Sequence, residues 1–389
     1  MSIPQQISRE ISSDTEVGDD HSRLLSMRER RSLSIWLLVV LFMIFCMVMI
    51  GGVTRLTGSG LSMVEWRPLM GTLPPLSESE WTRVFELYKE SPQYLKVNQW
   101  MTIGDFKWIF FWEYLHRLFG RLIGIAFGLP WLYFMIKGTL RGVWRWRATT
   151  ALILGGSQGL LGWYMVKSGL VDQPNVSHFR LAAHLCLAFF CGQWVWSMLI
   201  DLNLDRLKTK YATRLSDSSS HLSTSSIRDI MPSLFTQLSF LALMIVQIVY
   251  GAFMAGSKAG YLYTTYPTMN GAWVAPTWFG EKGDFIIPSI QSLLNDPDSI
   301  HFIHRTLALV ILGVGGWLAW GFIKAKENPL SSRLGLILAC ALCFQFLLGV
   351  LTVMSGMNLS LAAAHQGGSF VLLSATIAAL QYHLRTVQH

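Results

Sequence analysis

Eight apolar runs, each long enough to cross a bilayer as a helix, constrain this 389-residue chain more than any other feature. A hydrocarbon core of ~30 Å takes about 20 helical residues, and in lipid only helices or closed barrels satisfy the backbone. The runs lie at 33–53, 108–137, 148–166, 180–201, 231–256, 302–324, 334–354 and 361–382. The second exceeds what one crossing needs, so it tilts or projects from the bilayer. Composition agrees, with 52% hydrophobic and 14% charged residues, where a soluble domain is about a quarter charged. The expected fold class is therefore an all-α polytopic membrane protein of eight transmembrane helices.

An even number of spans puts both termini on one side, and cytoplasmic segments hold the excess of lysine and arginine. With the N-terminus inside, 18 Lys and Arg fall in inner segments and 10 outside, with Arg117, Arg121 and Arg305 within spans. Both termini are thus expected in the cytoplasm. The same distribution explains the net charge of +8 without a basic groove, which sets nucleic acid aside. Glu10, Asp14, Glu16, Asp19 and Asp20 argue against a mitochondrial transit peptide, so a bacterial inner membrane is the expected location. Cys46, Cys186, Cys191, Cys340 and Cys343 all fall inside spans. Small packing residues are the reading for Cys340 and Cys343, since no second pair accompanies them for zinc or redox chemistry.

The chain repeats itself. Gln158–Gly169 aligns with Gln345–Gly356 at seven of twelve positions, His116-Arg117 with His304-Arg305, and Ala182-Ala-His184 with Ala363-Ala-His365. Spans one to four are thus repeated by spans five to eight, which predicts two pseudo-symmetric four-helix bundles. The expected parts are a cytoplasmic N-terminal tail at 1–32, an N-terminal half at 33–201, a cytoplasmic linker at 202–230, a C-terminal half at 231–382 and a cytoplasmic tail at 383–389. The outer segments 54–107 and 257–301 hold equivalent places over the bundle mouths. In the first, Ser77-Glu-Ser-Glu80 reads as a capping box opening a surface helix through Lys89, with Trp81, Phe85 and Tyr88 on the membrane interface.

A histidine within a span is costly and faces the interior toward a partner. His116, His184, His304 and His365 each fall in the opening turns of a span running inward, at matched depth near the outer face. Two per half, on different helices, suit two imidazoles approaching one iron from opposite sides; the result is one haem-sized site per half. Gly120 and Ala308, one turn beyond His116 and His304, leave room for a flat macrocycle, and Gly124 and Gly128 continue the ridge. His178, His221, His383 and His389 read as solvated surface. Arg117 and Arg305 are candidates to pair with haem propionates, with snorkelling to the headgroups the competing reading. Glu113, three residues before His116, faces the same pocket, whereas His301 holds that place before His304. Either Glu113 is spent on a salt bridge to Arg117 or Arg121, or the first half reacts while the second carries electrons.

Gly51-Gly-Val-Thr-Arg-Leu-Thr-Gly-Ser-Gly-Leu-Ser62, Glu113-Tyr-Leu-His-Arg-Leu-Phe-Gly-Arg121, Gln158-Gly-Leu-Leu-Gly162, Ala183-His184, His304-Arg305 and Ala364-His365-Gln366 together resemble the haem A synthase family, in its mitochondrial and proteobacterial type. The resemblance covers nearly the whole chain beyond the N-terminal tail. It implies oxidation of the C8 methyl of haem O to a formyl group, giving haem A for terminal oxidases. It further implies that His116 and His184 hold the substrate haem iron beside a catalytic Glu113, and that His304 and His365 hold the iron of a haem b cofactor. An electron donor or acceptor, and the farnesylating haem O synthase as a partner, are implied as well. The cysteine pair that some branches carry in an outer loop is absent here. The competing readings are a dihaem b-type membrane electron carrier or quinol-linked reductase, with two permanent haems and no modified product, and a haem delivery protein with exchangeable haem.

Overall fold

The computed structural model describes residues 25–65, 73–169, 176–216, 232–325 and 329–387. Eight long helices cover all eight apolar runs: α1 (Met27–Leu56), α3 (Ile103–Ile136), α4 (Gly142–Gly169), α5 (His178–Ser216), α6 (Leu234–Ser257), α8 (Pro297–Lys324), α9 (Pro329–Met354) and α10 (Leu359–Val387), with the short helices α2 (Glu78–Lys89) and α7 (Ile290–Asn295) in the outer segments. No strand occurs among the described residues beyond two isolated bridges. Seven of the eight are long and apolar enough to cross a membrane, so the protein is a multi-span membrane protein. The exception is α4, whose middle is Gly155-Gly-Ser-Gln-Gly159 rather than a run of aliphatic residues.

The helices begin where polar caps place them, upstream of the apolar runs. Ser26 and Glu29 form a reciprocal box at α1, as do Thr102 and Asp105 at α3. Asp296 caps α8 with Pro297 at its first position, where a missing N–H costs nothing. The surface helix starts at the residue the sequence indicates, with Ser77 Oγ accepting from Glu80 N at 3.2 Å, but the Glu80 carboxylate accepts from Arg83 instead of closing the expected capping box.

Large apolar side chains such as Phe42, Leu129, Trp317, Phe344 and Leu347 cover the outside, which suits lipid as solvent. Within residues 27–216, α1 touches α3 and α5, and α4 touches α3 and α5; within 234–387, α6 touches α8 and α10, and α9 touches α8 and α10. These two rings meet through α1 on α10, α5 on α6 and α5 on α10. Polar side chains join them: Gln366 Nε2 donates to Val48 O (2.8 Å), Trp196 Nε1 to Ser374 O (2.8 Å), and Gln193 Nε2 to Ser374 Oγ (3.0 Å). Near the other end of the helices, Asp201 accepts from Arg147 of α4 and Arg385 of α10.

Five expectations change. α5 continues to Ser216, so the first part of the expected linker 202–230 is helical, while 217–231 lies outside the described residues. Phe85 and Tyr88 are buried against Phe106, Ile109 and Phe110 of α3 rather than spread on the membrane interface, because α2 folds back over the outer end of that helix. His178 is half-buried rather than a free surface residue: it opens α5, its ring meets Phe253 edge-on, and its Nε2 lies 3.0 Å from Leu294 O. His383 is buried at 8% exposure on α10. His221 and His389 lie outside the described residues. All five cysteines are free, and Cys340 and Cys343 lie on the exposed face of α9 rather than in the packing.

Candidate functional site

His116, His184, His304 and His365 all open into one cavity of about 1740 Å³ between the helices. A single ligand pocket is about 300–1,000 Å³, so the space exceeds what one ligand fills. Its walls include Gly120, Gly124 and Ala308, and also Glu113, Arg117 and Arg305. A methyl group placed on Gly124 or Gly128 would meet nothing within 4 Å. Outer residues Trp100 and Met101 from one segment, and Tyr261 and Tyr266 from the other, complete the mouth.

Each histidine ring lies against a glycine of a neighbouring helix. Gly51 of α1 faces His116, Gly162 of α4 faces His184, Gly251 of α6 faces His304, and Gly349 of α9 faces His365. With no Cβ on the facing helix, an imidazole fits between two closely packed backbones. The rings of His304 and His365 have centroids 6.4 Å apart at 84° to one another. Two imidazoles on opposite sides of one metal, at about 2.0–2.1 Å per bond, would place their centroids roughly 6 Å apart. Among the described residues no group of three or more His, Cys, Asp and Glu converges. Paired imidazoles without further converging donors would fit a flat macrocycle that supplies the rest of its metal's ligands itself.

Glu113 is 3% exposed and fully engaged. Its Oε2 accepts from Ser62 Oγ (2.7 Å) and Met63 N (2.8 Å), and its Oε1 from Arg117 Nη2 (2.5 Å). The salt bridge expected as one reading of this carboxylate is thus present, with Arg117 as partner. Arg117 also donates to Met63 O at 3.2 Å, so the pair fastens the loop after α1 to α3. In the other half His301 Nδ1 lies 3.0 Å from Ala259 O, and Arg305 donates to Thr265 O (2.9 Å) and Thr268 O (3.1 Å) while its guanidinium covers the Tyr266 ring. Equivalent positions do the same mechanical work with different chemistry. In that segment burial pushes the Tyr263 phenol up to about 12, and its hydrogen bond to Asp298 acts in the same direction.

Sequence reasoning singled out the histidines, Glu113 and the two arginines, and the cavity brings all seven together. It missed Arg55, which reaches across to Gly256 O at 2.8 Å with its Nε buried and unpartnered among the described residues. It also missed the glutamines behind the histidines. Gln158 Nε2 donates to His184 O, Gln247 Nε2 to His304 O and Gln345 Nε2 to His365 O, each at 3.0 Å. A Gln-x-x-x-Gly spacing occurring before Gly162, Gly251 and Gly349 was the available signal.

Residues 34–377 match the family described as cytochrome oxidase assembly proteins. The haem A synthase of Paramagnetospirillum magneticum is 39% identical over 352 residues, 90% of this chain and 93% of that one. That of Nitrosospira multiformis is 40% identical over 353 residues, 90% and 92%, and that of Flavobacterium psychrophilum 37% over 356 residues, 90% and 97%.

Proposed function

The chain belongs to the cytochrome oxidase assembly protein family, among the haem A synthases, and from that premise we propose how its two histidine pairs are used. Its activity is that of a haem A synthase, a membrane oxidoreductase that converts the C8 methyl of haem O to a formyl group, giving haem A for terminal oxidases. The N-terminal half, 33–201, holds the substrate haem O between His116 and His184. The C-terminal half, 231–382, holds a haem b cofactor between His304 and His365. When bound, that group supplies one-electron redox chemistry. The carrying observation is the set of four glycine-backed imidazoles around one cavity.

Glu113 is the catalytic residue of this reading. Placed one helical turn before His116, its carboxylate stabilises positive charge developing at the porphyrin edge or takes a proton from water at the oxidised carbon. Arg117 holds that carboxylate in position beside the pocket and ties it to the Met63 carbonyl. Arg305, whose Nη1 is buried without a partner among the described residues, has a donor to offer a propionate in the second half. Both termini lie on the cytoplasmic side of a bacterial inner membrane, with the haem sites toward the periplasm. Haem O synthase is the natural supplier of substrate, and an electron donor or acceptor completes the turnover.

The test is pigment extraction and mass spectrometry from cells making haem O, with and without this chain. Haem A or its hydroxylated precursor is expected only with it. Bound haem B with haem O untouched would refute the synthase in favour of a dihaem electron carrier. Glu113→Gln is expected to lose most haem A formation while retaining haem; normal formation would remove Glu113 from the mechanism.

A further inference from the structure

The cavity is one helical turn deeper in the N-terminal half than in the C-terminal half. In the first its lining runs inward to Val40, Phe127, Ala151 and Val195, each eleven residues from the histidine, or the histidine-facing glycine, of its own helix. In the second it ends, among the described residues, at Met244, Ile311, Leu342 and Leu372, each seven residues from the corresponding position. At the rise of an α-helix those depths are ~16 Å and ~10 Å.

Side-chain size makes the difference. By the internal repeat, Val40, Gly124, Ala151 and Gly155 correspond to Phe240, Leu312, Leu338 and Leu342. Phe240, Leu338 and Leu342 are buried, and Phe240 and Leu342 press so closely on α8 that a methyl on Gly315 would lie 2.8 Å from each. A methyl on Gly124 or Gly155 would meet nothing within 4 Å. The exchange in the opposite sense, Phe127 for Gly315, supplies the floor of the deeper half, where the Phe127 ring lies 4.9 Å from that of Trp36.

We propose that this extra turn of depth is the subsite for the isoprenoid tail of haem O, and that Gly124, Ala151 and Gly155 set the preference of the N-terminal half for a tailed haem. The proposal rests on that half holding haem O. A space walled by Val40, Ile44, Phe127 and Val195 is apolar and such a space stays dry, so its occupant is hydrocarbon rather than water or an ion. Haem O carries a farnesyl-bearing chain where haem b has a vinyl group, and a macrocycle without one needs only the shallower half. A tail seated inward stops the ring from turning about the axis between the two imidazoles. The same edge then faces Glu113 each time, which orients one ring methyl among several for reaction.

The experiment uses the purified full chain with haem b in its C-terminal half, titrated in detergent with haem O or with haem B and followed by Soret absorbance. Gly155→Leu, which installs the side chain found at the matching position of the other half, should weaken haem O binding ~10-fold or more and leave haem B binding at the same site unchanged. Unchanged haem O affinity overturns the proposal, and phospholipid lost from that variant would then name an acyl chain as the occupant. Equal loss of both haems overturns it too, because the substitution then disturbs the ring and not the tail. Should Gly155→Leu fail to fold, the double variant Gly124→Ala, Gly155→Ala adds only methyls that meet no atom of the chain within 4 Å. It should show the same selective loss in smaller degree, and wild-type affinity for haem O in it overturns the proposal. Failure of the underlying reading is separately visible: His116→Ala taking up haem O as the wild type does would show that the titrated site is not the N-terminal histidine pair.

Discussion

Alanine substitution at the four histidine-facing glycines yields a graded series whose order follows from distances alone. A methyl on Gly349 would lie 2.8 Å from His365 Cε1, and ordinary contact begins at 3.4 Å, so the ring must retreat by about 0.6 Å. At Gly162 the distance is 3.0 Å to His184, which requires about 0.4 Å. At Gly251 it is 3.3 Å to His304 and at Gly51 3.5 Å to His116, which require about 0.1 Å and nothing. A metal–nitrogen bond tolerates only ~0.2 Å. Gly349→Ala and Gly162→Ala should therefore weaken haem retention ~10–100-fold, about 1.4–2.7 kcal/mol, while Gly251→Ala and Gly51→Ala keep haem. Alanine is favoured over glycine in a helix by ~0.8–1.0 kcal/mol, so the thermal midpoint of the ligand-free protein should not fall with haem content. The assay is haem per polypeptide after purification, with the low-spin bis-imidazole spectrum as the second readout. Equal losses at all four positions, or a greater loss at Gly51 than at Gly349, would refute the reasoning.

Tyr88→Phe removes the hydroxyl that accepts from Asn98 Nδ2 (2.7 Å) and donates to Gln93 Oε1 (3.1 Å); stranding two buried polar groups should cost ~1–3 kcal/mol, read as faster hydrogen exchange across 77–98 with the spans unaffected. Asp201→Asn breaks the buried contact to Arg147 and the half-exposed one to Arg385; a loss of about 3 kcal/mol is expected, measured as a lower thermal midpoint in detergent, and Arg385→Gln should cost well under 1 kcal/mol because that side chain is exposed. Arg55→Met deletes the donor to Gly256 O on the far side of the junction between the two rings; the carbonyl left without it should lower the midpoint by ~1–3 kcal/mol without shifting the absorbance of bound haem.

Hydropathy located the long helices because a lipid-facing helix is apolar over most of its crossing, even α4, whose middle is Gly155-Gly-Ser-Gln-Gly159. The helix ends were less legible: Ser26, Thr102 and Asp296 set them by hydrogen bonding upstream of the apolar residues. The four histidines were legible for the same energetic reason, since a polar ring within a span demands a use. What failed was anything decided by a neighbour distant in the chain. His178 looked like a loop residue because its partners, Phe253 and Leu294, belong to the other half. Phe85 and Tyr88 looked like interface anchors because nothing local says that α2 returns to Phe106. Gln247 looked like any polar residue until α6 and α8 were seen side by side. For Glu113 the sequence left a salt bridge and a reactive role open, and the geometry contains the first while keeping the carboxylate on the cavity wall.

Among the described residues, members of both histidine pairs line the same cavity. Whatever fills one side becomes part of the wall seen from the other, and covers apolar surface there that would otherwise face an empty chamber. Where filling one side changes affinity at the other, thermodynamic reciprocity gives the same factor in both directions. Either order of filling then arrives at the same state, and each occupant is a determinant of how firmly the other is held.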